Sequence, residues 1–132
     1  MTGSDPHPFH PLTVPFLLHA AESVKGDPQV DDLGPLYAAV GRVNARAMDT
    51  DIYGSMHLKT AALLETLIRL PCLEHSNPTF AWYAALAYLR LHGFELRPRP
   101  KAAATLIRDV ASGAVRVGAV ARQLREWPLA DT

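Results

Sequence analysis

Glu74, His75, Ser76 and Asn77 follow one another immediately before Pro78 and the apolar run FAWYAALAYL. A carboxylate beside an imidazole is a candidate proton-transfer pair. If the two converge, Glu74 raises the proton affinity of His75, and His75 can carry a proton near neutral pH. Ser76, Asn77 and Thr79 add side-chain donors at a helix start. Free backbone N–H groups and the helix dipole there favour an anionic or carbonyl oxygen. Glu74 and His75 are therefore the candidate catalytic residues, and Ser76, Asn77 and Thr79 the candidate ligand- or anion-binding residues. The plainer reading is structural: Asn77 is a good N-cap, Pro78 a good first helical residue, and the others are loop. Cys72 lies three residues before His75 and offers a cysteine–histidine pair. Its apolar flanks point instead to a buried thiol.

Other chemistry-bearing residues are read as structural. His7 and His10 sit in a Pro-rich arm without periodicity and read as surface residues, so they are not expected to hold a metal. His57 and His92 are expected to pack, with His92 at a helix end where a partly charged imidazole suits the negative pole of the dipole. His19 reads as surface or filler on the first helix, and Met48 and Met56 as packing. The chain lacks a phosphate-binding glycine loop, a dinucleotide fingerprint, a His-Glu-x-x-His motif and paired-cysteine zinc spacing. No cofactor or metal is expected.

Six helical segments must position these residues. LTVPFLLHAAESVKG carries the first, closed by Gly26, and DLGPLYAAVGRV the second, with Asp32 as cap and Pro35 in its first turn. Ser55 caps the third, MHLKTAALLETLIRL, which is apolar over most of its circumference and so central; Pro71 ends it. The fourth follows Asn77 and stops at Gly93; it is expected to be the most buried, with Leu91 widening its apolar stripe. Its alanines allow a neighbouring helix to approach closely. KAAATLIRDVASG and VRVGAVARQLREW supply two amphipathic helices, and Trp127 is expected to anchor the last. The fold class is all-α, with residues 1–12 a loose arm and residues 13–132 a single domain.

Composition bounds the function. A chain of 132 residues makes one domain with one core. Its formal net charge is zero, so nothing in the electrostatics favours nucleic acid or an anionic membrane as partner. The single cysteine excludes an internal disulfide and suits a reducing cytoplasm. The first twelve residues lack the basic and apolar regions of a signal peptide, and no apolar run is long enough to cross a bilayer.

Residues from about Asp31 to Leu96 resemble the Fic/Doc (death-on-curing) family. The family's loop and helix start read His-Pro-Phe-x-Asp-Gly-Asn-Lys-Arg-Thr-Ala, and its helix closes on a phrase such as Phe-Leu-x-x-Asn-Gly-Tyr-x-Leu. YLRLHGFEL matches that phrase without a gap, KTAALLETLIRL resembles the helix leading into the motif, and DDLGPLYAAV resembles an early Asp-x-Gly-Leu-Leu-x-Ala-Ala segment. The resemblance implies a helical bundle around a buried central helix, with at most a short β-hairpin flap. It also implies that the signature is nearly erased. Pro71 stands at the catalytic histidine, Cys72 and Leu73 at the proline and aromatic, His75 at the magnesium-holding acid and Ser76 at the glycine. Asn77 is retained, Pro78 and Thr79 replace the lysine and arginine, and Trp82 stands where the adenylyl-transferring branch has a further arginine. Tyr53 falls near the loop that flanks the family's substrate site.

Each replacement removes a part of the family's chemistry. Proline has no base to take a proton from the attacking hydroxyl. Histidine is a poor ligand for a hard oxygen-preferring ion. Threonine supplies no cation for the transition-state phosphate. The expected function is thus a Doc-like protein of the toxin–antitoxin type that binds a protein or nucleotide partner instead of transferring AMP or phosphate. The partner would be an antitoxin-like protein or a second copy of the chain. The alternative is an enzyme whose old pocket has new chemistry through Glu74, His75 and Ser76, acting on a peptide or small metabolite.

Overall fold

A computed structural model describes residues 9–127. Six α-helices run in order: α1 (Val14–Ala21), α2 (Gly34–Val43), α3 (Met56–Arg69), α4 (Asn77–Leu91), α5 (Pro100–Ser112) and α6 (Val117–Glu126). A two-stranded antiparallel hairpin, β1 (Arg46–Ala47) and β2 (Thr50–Asp51), joins α2 to α3, with Arg46 opposite Asp51 and Ala47 opposite Thr50. The all-α expectation with a short hairpin holds.

The helix boundaries follow local chemistry. Thr13 accepts from the Phe16 N–H at 3.2 Å to start α1, and Pro15 lies in its first turn. Asp32 Oδ1 accepts from the Gly34 N–H at 2.8 Å, which covers a donor at the start of α2 although Leu33 is the formal cap residue. Ser55 caps α3 by accepting from the Leu58 N–H at 3.1 Å, and α3 stops at Leu70, the residue that Pro71 disfavours for helix. Gly93, at φ +88°, lets the chain turn away after α4 in a conformation costly for any residue with a Cβ.

α3 is the axis of the fold and packs against α2, α4, α5 and α6. Eleven of its fourteen residues are buried, against six of fifteen in α4. This corrects the expectation that α4 would be the most buried helix. Neighbours surround α3, whereas one flank of α4 stays open, with Tyr83 and Leu91 exposed. Leu91 therefore does not widen the buried stripe. Ala61 and Ala62 on α3 and Ala81, Ala84 and Ala85 on α4 are fully buried, and these small side chains let the two axes approach closely. Leu63, Leu64 and Leu67 fill the remaining space, each worth roughly 1.5–3 kcal/mol in transfer terms. The buried hydroxyls of Thr60 and Thr66 donate to the carbonyls of Met56 and Ala62, each at 2.8 Å, so neither is left unpaired.

Phe9 and Leu12, which belong to the stretch expected as a loose arm, pack on the body. Leu12 is buried, its N–H donates to Asn44 Oδ1 at 3.0 Å, and its carbonyl accepts from Asn44 Nδ2 at 2.8 Å. Residues 1–8 of the arm, including His7, lie outside the described residues. Trp127 meets Trp82 edge to face at 6.0 Å and so anchors the end of α6 on α4. Met56 is buried as expected, but Met48 is almost fully exposed at the tip of the hairpin, because both it and Asp49 hold positive φ there and turn their side chains outward from the strands.

Candidate functional site: the loop before helix α4

The loop from Pro71 to Ser76 is tied to the segment before α2. The Cys72 carbonyl accepts from the Asp31 N–H at 2.8 Å and the Asp32 N–H at 3.2 Å, and Leu73 bridges Val30 in antiparallel fashion. The Glu74 N–H donates to the Gln29 carbonyl at 3.0 Å, while Glu74 Oε1 accepts from the Gln29 N–H at 2.9 Å. Main chain and side chain of Glu74 thus both close on one residue. An ionised acceptor on a backbone N–H makes a strong bond, so this carboxylate is held in place.

Asn77 does not cap α4 as expected. It is the first helical residue, and Ser76, in the left-handed region at φ +63°, is the cap position without a side-chain cap bond. The Asn77 side chain turns back into the loop. Its Oδ1 accepts from the N–H groups of Cys72 and Leu73, both at 2.9 Å, and its Nδ2 donates to the Leu73 carbonyl at 2.9 Å. The amide therefore satisfies loop groups that have no regular structure to pair with. Ser76 Oγ lies 2.8 Å from His75 Nδ1. The His75 ring lies over Gly26: a Cβ built there would come within 3.4 Å of its Cε1. Gly26 holds φ +92°, so that approach and that turn both suit glycine.

The five candidate residues thus separate into two groups. Glu74 and Asn77 spend their polar atoms on the backbone of the loop and its strand-like neighbour. His75 and Ser76 pair with each other at the exposed rim, and Thr79 is exposed one turn into α4. Three cavities elsewhere in the fold are lined by none of the five. Cys72 is buried, and desolvation, with a smaller contribution from the Asp32 charge, pushes its thiol up to about 11. It is therefore a protonated core group at neutral pH and a poor nucleophile. Among the described residues, no group of three or more His, Cys, Asp or Glu is placed to hold a metal ion.

Sequence reasoning missed the charged residues of α3. Glu65 is buried, with Oε1 2.9 Å from an Arg42 terminal nitrogen and Oε2 3.2 Å from Arg116 Nε, so it ties α2 and the start of α6 to the central helix. Arg42 also donates to Thr66 Oγ1 at 3.0 Å and to the Tyr53 hydroxyl at 2.8 Å. Burial works against the Arg42 charge, but the bonds to Tyr53 and Glu65 outweigh it and hold its pKa above the ordinary value. Tyr53 thus serves this network. Lys59 is buried near the hairpin. A lone Lys and a lone Glu on an otherwise apolar helix were the available signal for both.

His57 meets the Phe94 ring at 5.0 Å and packs as expected. His92 is structural too, but not through its charge. Its Nε2 accepts from the His10 N–H at 2.9 Å, which leaves Nδ1 as the donor to the Tyr88 carbonyl at 2.9 Å. That bonding uses the neutral ring.

No family model matches the chain. A stretch of 71 residues is 39% identical to the toxin Doc of Mycolicibacterium smegmatis; it covers 54% of this chain and 55% of that protein. The chain thus spans about half the length of the curated relative it matches. No helix among the described residues is long and apolar enough to cross a membrane.

Proposed function

We propose that this chain is a Doc-like protein of the toxin–antitoxin type whose motif loop has lost transfer chemistry and acts by holding a partner. The similarity to a protein named as a toxin supports the class. The observation that carries the rest is the loop itself. Where the family's base would stand there is Pro71, one oxygen of the Glu74 carboxylate is held by the Gln29 N–H, and the Asn77 amide is engaged by the loop backbone. Such a loop is built to keep its shape. Its exposed face presents His75, Ser76 and Thr79 to an antitoxin-like protein, to a second copy of the chain, or to a nucleotide.

The family's magnesium does not fit these residues. His75 stands at the carboxylate position, its Nδ1 faces Ser76 Oγ, and Glu74 Oε1 is taken by Gln29. A hard ion that prefers several oxygen ligands has no donor set here.

A second reading, new chemistry on a peptide or small metabolite, draws on one observation: the 2.8 Å pair of His75 Nδ1 and Ser76 Oγ. That is hydrogen-bond reach for a base and a hydroxyl. One experiment separates the readings. The chain is expressed with and without a candidate antitoxin-like protein, and growth and co-purification are followed for wild type, His75→Ala, Ser76→Ala and Thr79→Ala. Partner binding predicts that co-purification and phenotype fall together and that no single hydroxyl is indispensable. An enzyme predicts that Ser76→Ala abolishes the phenotype while co-purification is kept. Full co-purification and phenotype in all three variants would place the function on another surface.

A further inference from the structure

The N-terminal turns of α3 carry an ammonium ion that its surroundings compensate only in part. Lys59 is 4% exposed. Its Nζ donates to the Val43 carbonyl at 3.2 Å and lies 3.4 Å from Asp51 Oδ2. Asp51 Oδ1 also holds Arg46 Nε at 3.0 Å, so one carboxylate serves two cations. The Phe9 ring covers another side of the ammonium, its centroid 5.3 Å from Nζ. A ring face is a weaker partner for a buried cation than an oxygen.

Lys59, Arg46 and Asp51 line a cavity of about 120 Å3 together with Phe9, His10, Pro11, Asn44 and Tyr88. At roughly 30 Å3 per water, this is room on the order of four waters, the scale of one small oxyanion. The neutral wall groups are already engaged. Asn44 exchanges two bonds with Leu12, and the Tyr88 hydroxyl donates to the His10 carbonyl at 2.9 Å. Burial, with a smaller contribution from the Asp51 charge, pushes the Tyr88 phenol up to about 12, so it adds no negative charge at neutral pH. Among the described residues, the charged groups of the walls are two cations, Lys59 and Arg46, and one carboxylate, Asp51, in a partly desolvated space where attraction between opposite charges is stronger than at the open surface.

We propose that this cavity binds a small oxyanion, phosphate or a short carboxylate, between Lys59 and Arg46, under the cover of residues 9–12. The site lies roughly 15 Å along α3 from the loop before α4, and it does not depend on the function of that loop. Ligand entry displaces Phe9 from the ammonium and replaces a ring face with charged oxygens. Release lets the ring return.

The test uses the full chain and two probes, sodium phosphate and sodium acetate, each titrated against sodium chloride at matched ionic strength. The melting temperature should rise saturably with at least one probe and not with chloride, because a ligand that binds only the folded state stabilises by mass action. Phosphate alone would identify a tetrahedral dianion, and acetate alone a planar carboxylate. Lys59→Met should abolish the shift, and Arg46→Gln, at a more exposed side chain, should weaken the probe about tenfold while the protein stays folded. Arg116→Gln, a cation elsewhere, should leave the shift intact. No saturable rise with either probe, or an undiminished rise in Arg46→Gln, would overturn the site.

Discussion

Asn77 and Leu73 are joined by two bonds that form a small ring: Asn77 Oδ1 accepts the Leu73 N–H at 2.9 Å and Asn77 Nδ2 donates to the Leu73 carbonyl at 2.9 Å. A side chain thus stands in for the strand partner that the loop lacks on that side, while Val30 is the partner on the other. A simple N-cap is worth about 1 kcal/mol. Asn77 holds three loop bonds, so Asn77→Ala is expected to cost more, about 2–3 kcal/mol, because part-buried backbone groups lose their partners. Urea denaturation of the variant measures this. A loss of 1 kcal/mol or less would mean that the amide acts as no more than a cap.

Glu74 and His75 should differ in stability, although both are exposed. Glu74→Gln retains an acceptor for the Gln29 N–H and should be nearly neutral, whereas Glu74→Ala should cost on the order of 1 kcal/mol. His75→Ala removes only the contacts with Ser76 and Gly26 and should change stability by less than about 0.5 kcal/mol. Thermal melts of the three variants give the order directly.

Glu65 is the most consequential buried charge. Glu65→Ala leaves Arg42 without its carboxylate and releases Arg116, at the start of α6, from the central helix; a loss of roughly 3 kcal/mol is expected. Arg116→Ala, at a 72% exposed side chain, should cost under about 1 kcal/mol. If the two variants melt alike, the network contributes through packing alone.

Two titrations carry signs. His57 is held below its ordinary pKa, first by burial and then by the Arg125 charge. The folded state therefore binds fewer protons than the unfolded one in the window just under the unfolded value of about 6.5, and stability falls as pH drops through it. His57→Gln should flatten that slope. The Cys72 thiol, pushed up to about 11, should react with a maleimide at pH 7.5 far more slowly in the native state than in urea.

Much of the architecture was legible because local rules and the hydrophobic pattern agree in it. The Ser55 cap, the Pro71 stop, the Gly93 turn and the all-round apolar face of α3 each follow from one physical constraint. The loop was legible only in part. Asn-Pro before an apolar run reads as a cap, and nothing local says that the amide will turn backward, because its partners depend on how the Gln29–Asp32 segment crosses the loop. The Lys59 and Glu65 clusters were less legible still. Arg42, Arg46, Asp51 and Arg116 come from α2, the two strands of the hairpin and the start of α6, and only tertiary packing brings them together with α3.

The motif loop is proposed to bind without transferring. The most direct measurement incubates purified protein with magnesium and nucleoside triphosphates labelled at the α or γ phosphate, alone and with host-cell extract, and reads label on protein. No transfer above a heat-denatured control is expected in either label, because no base stands at Pro71 and no cation at Thr79. Magnesium-dependent labelling that persists in the purified protein and disappears in His75→Ala would contradict it.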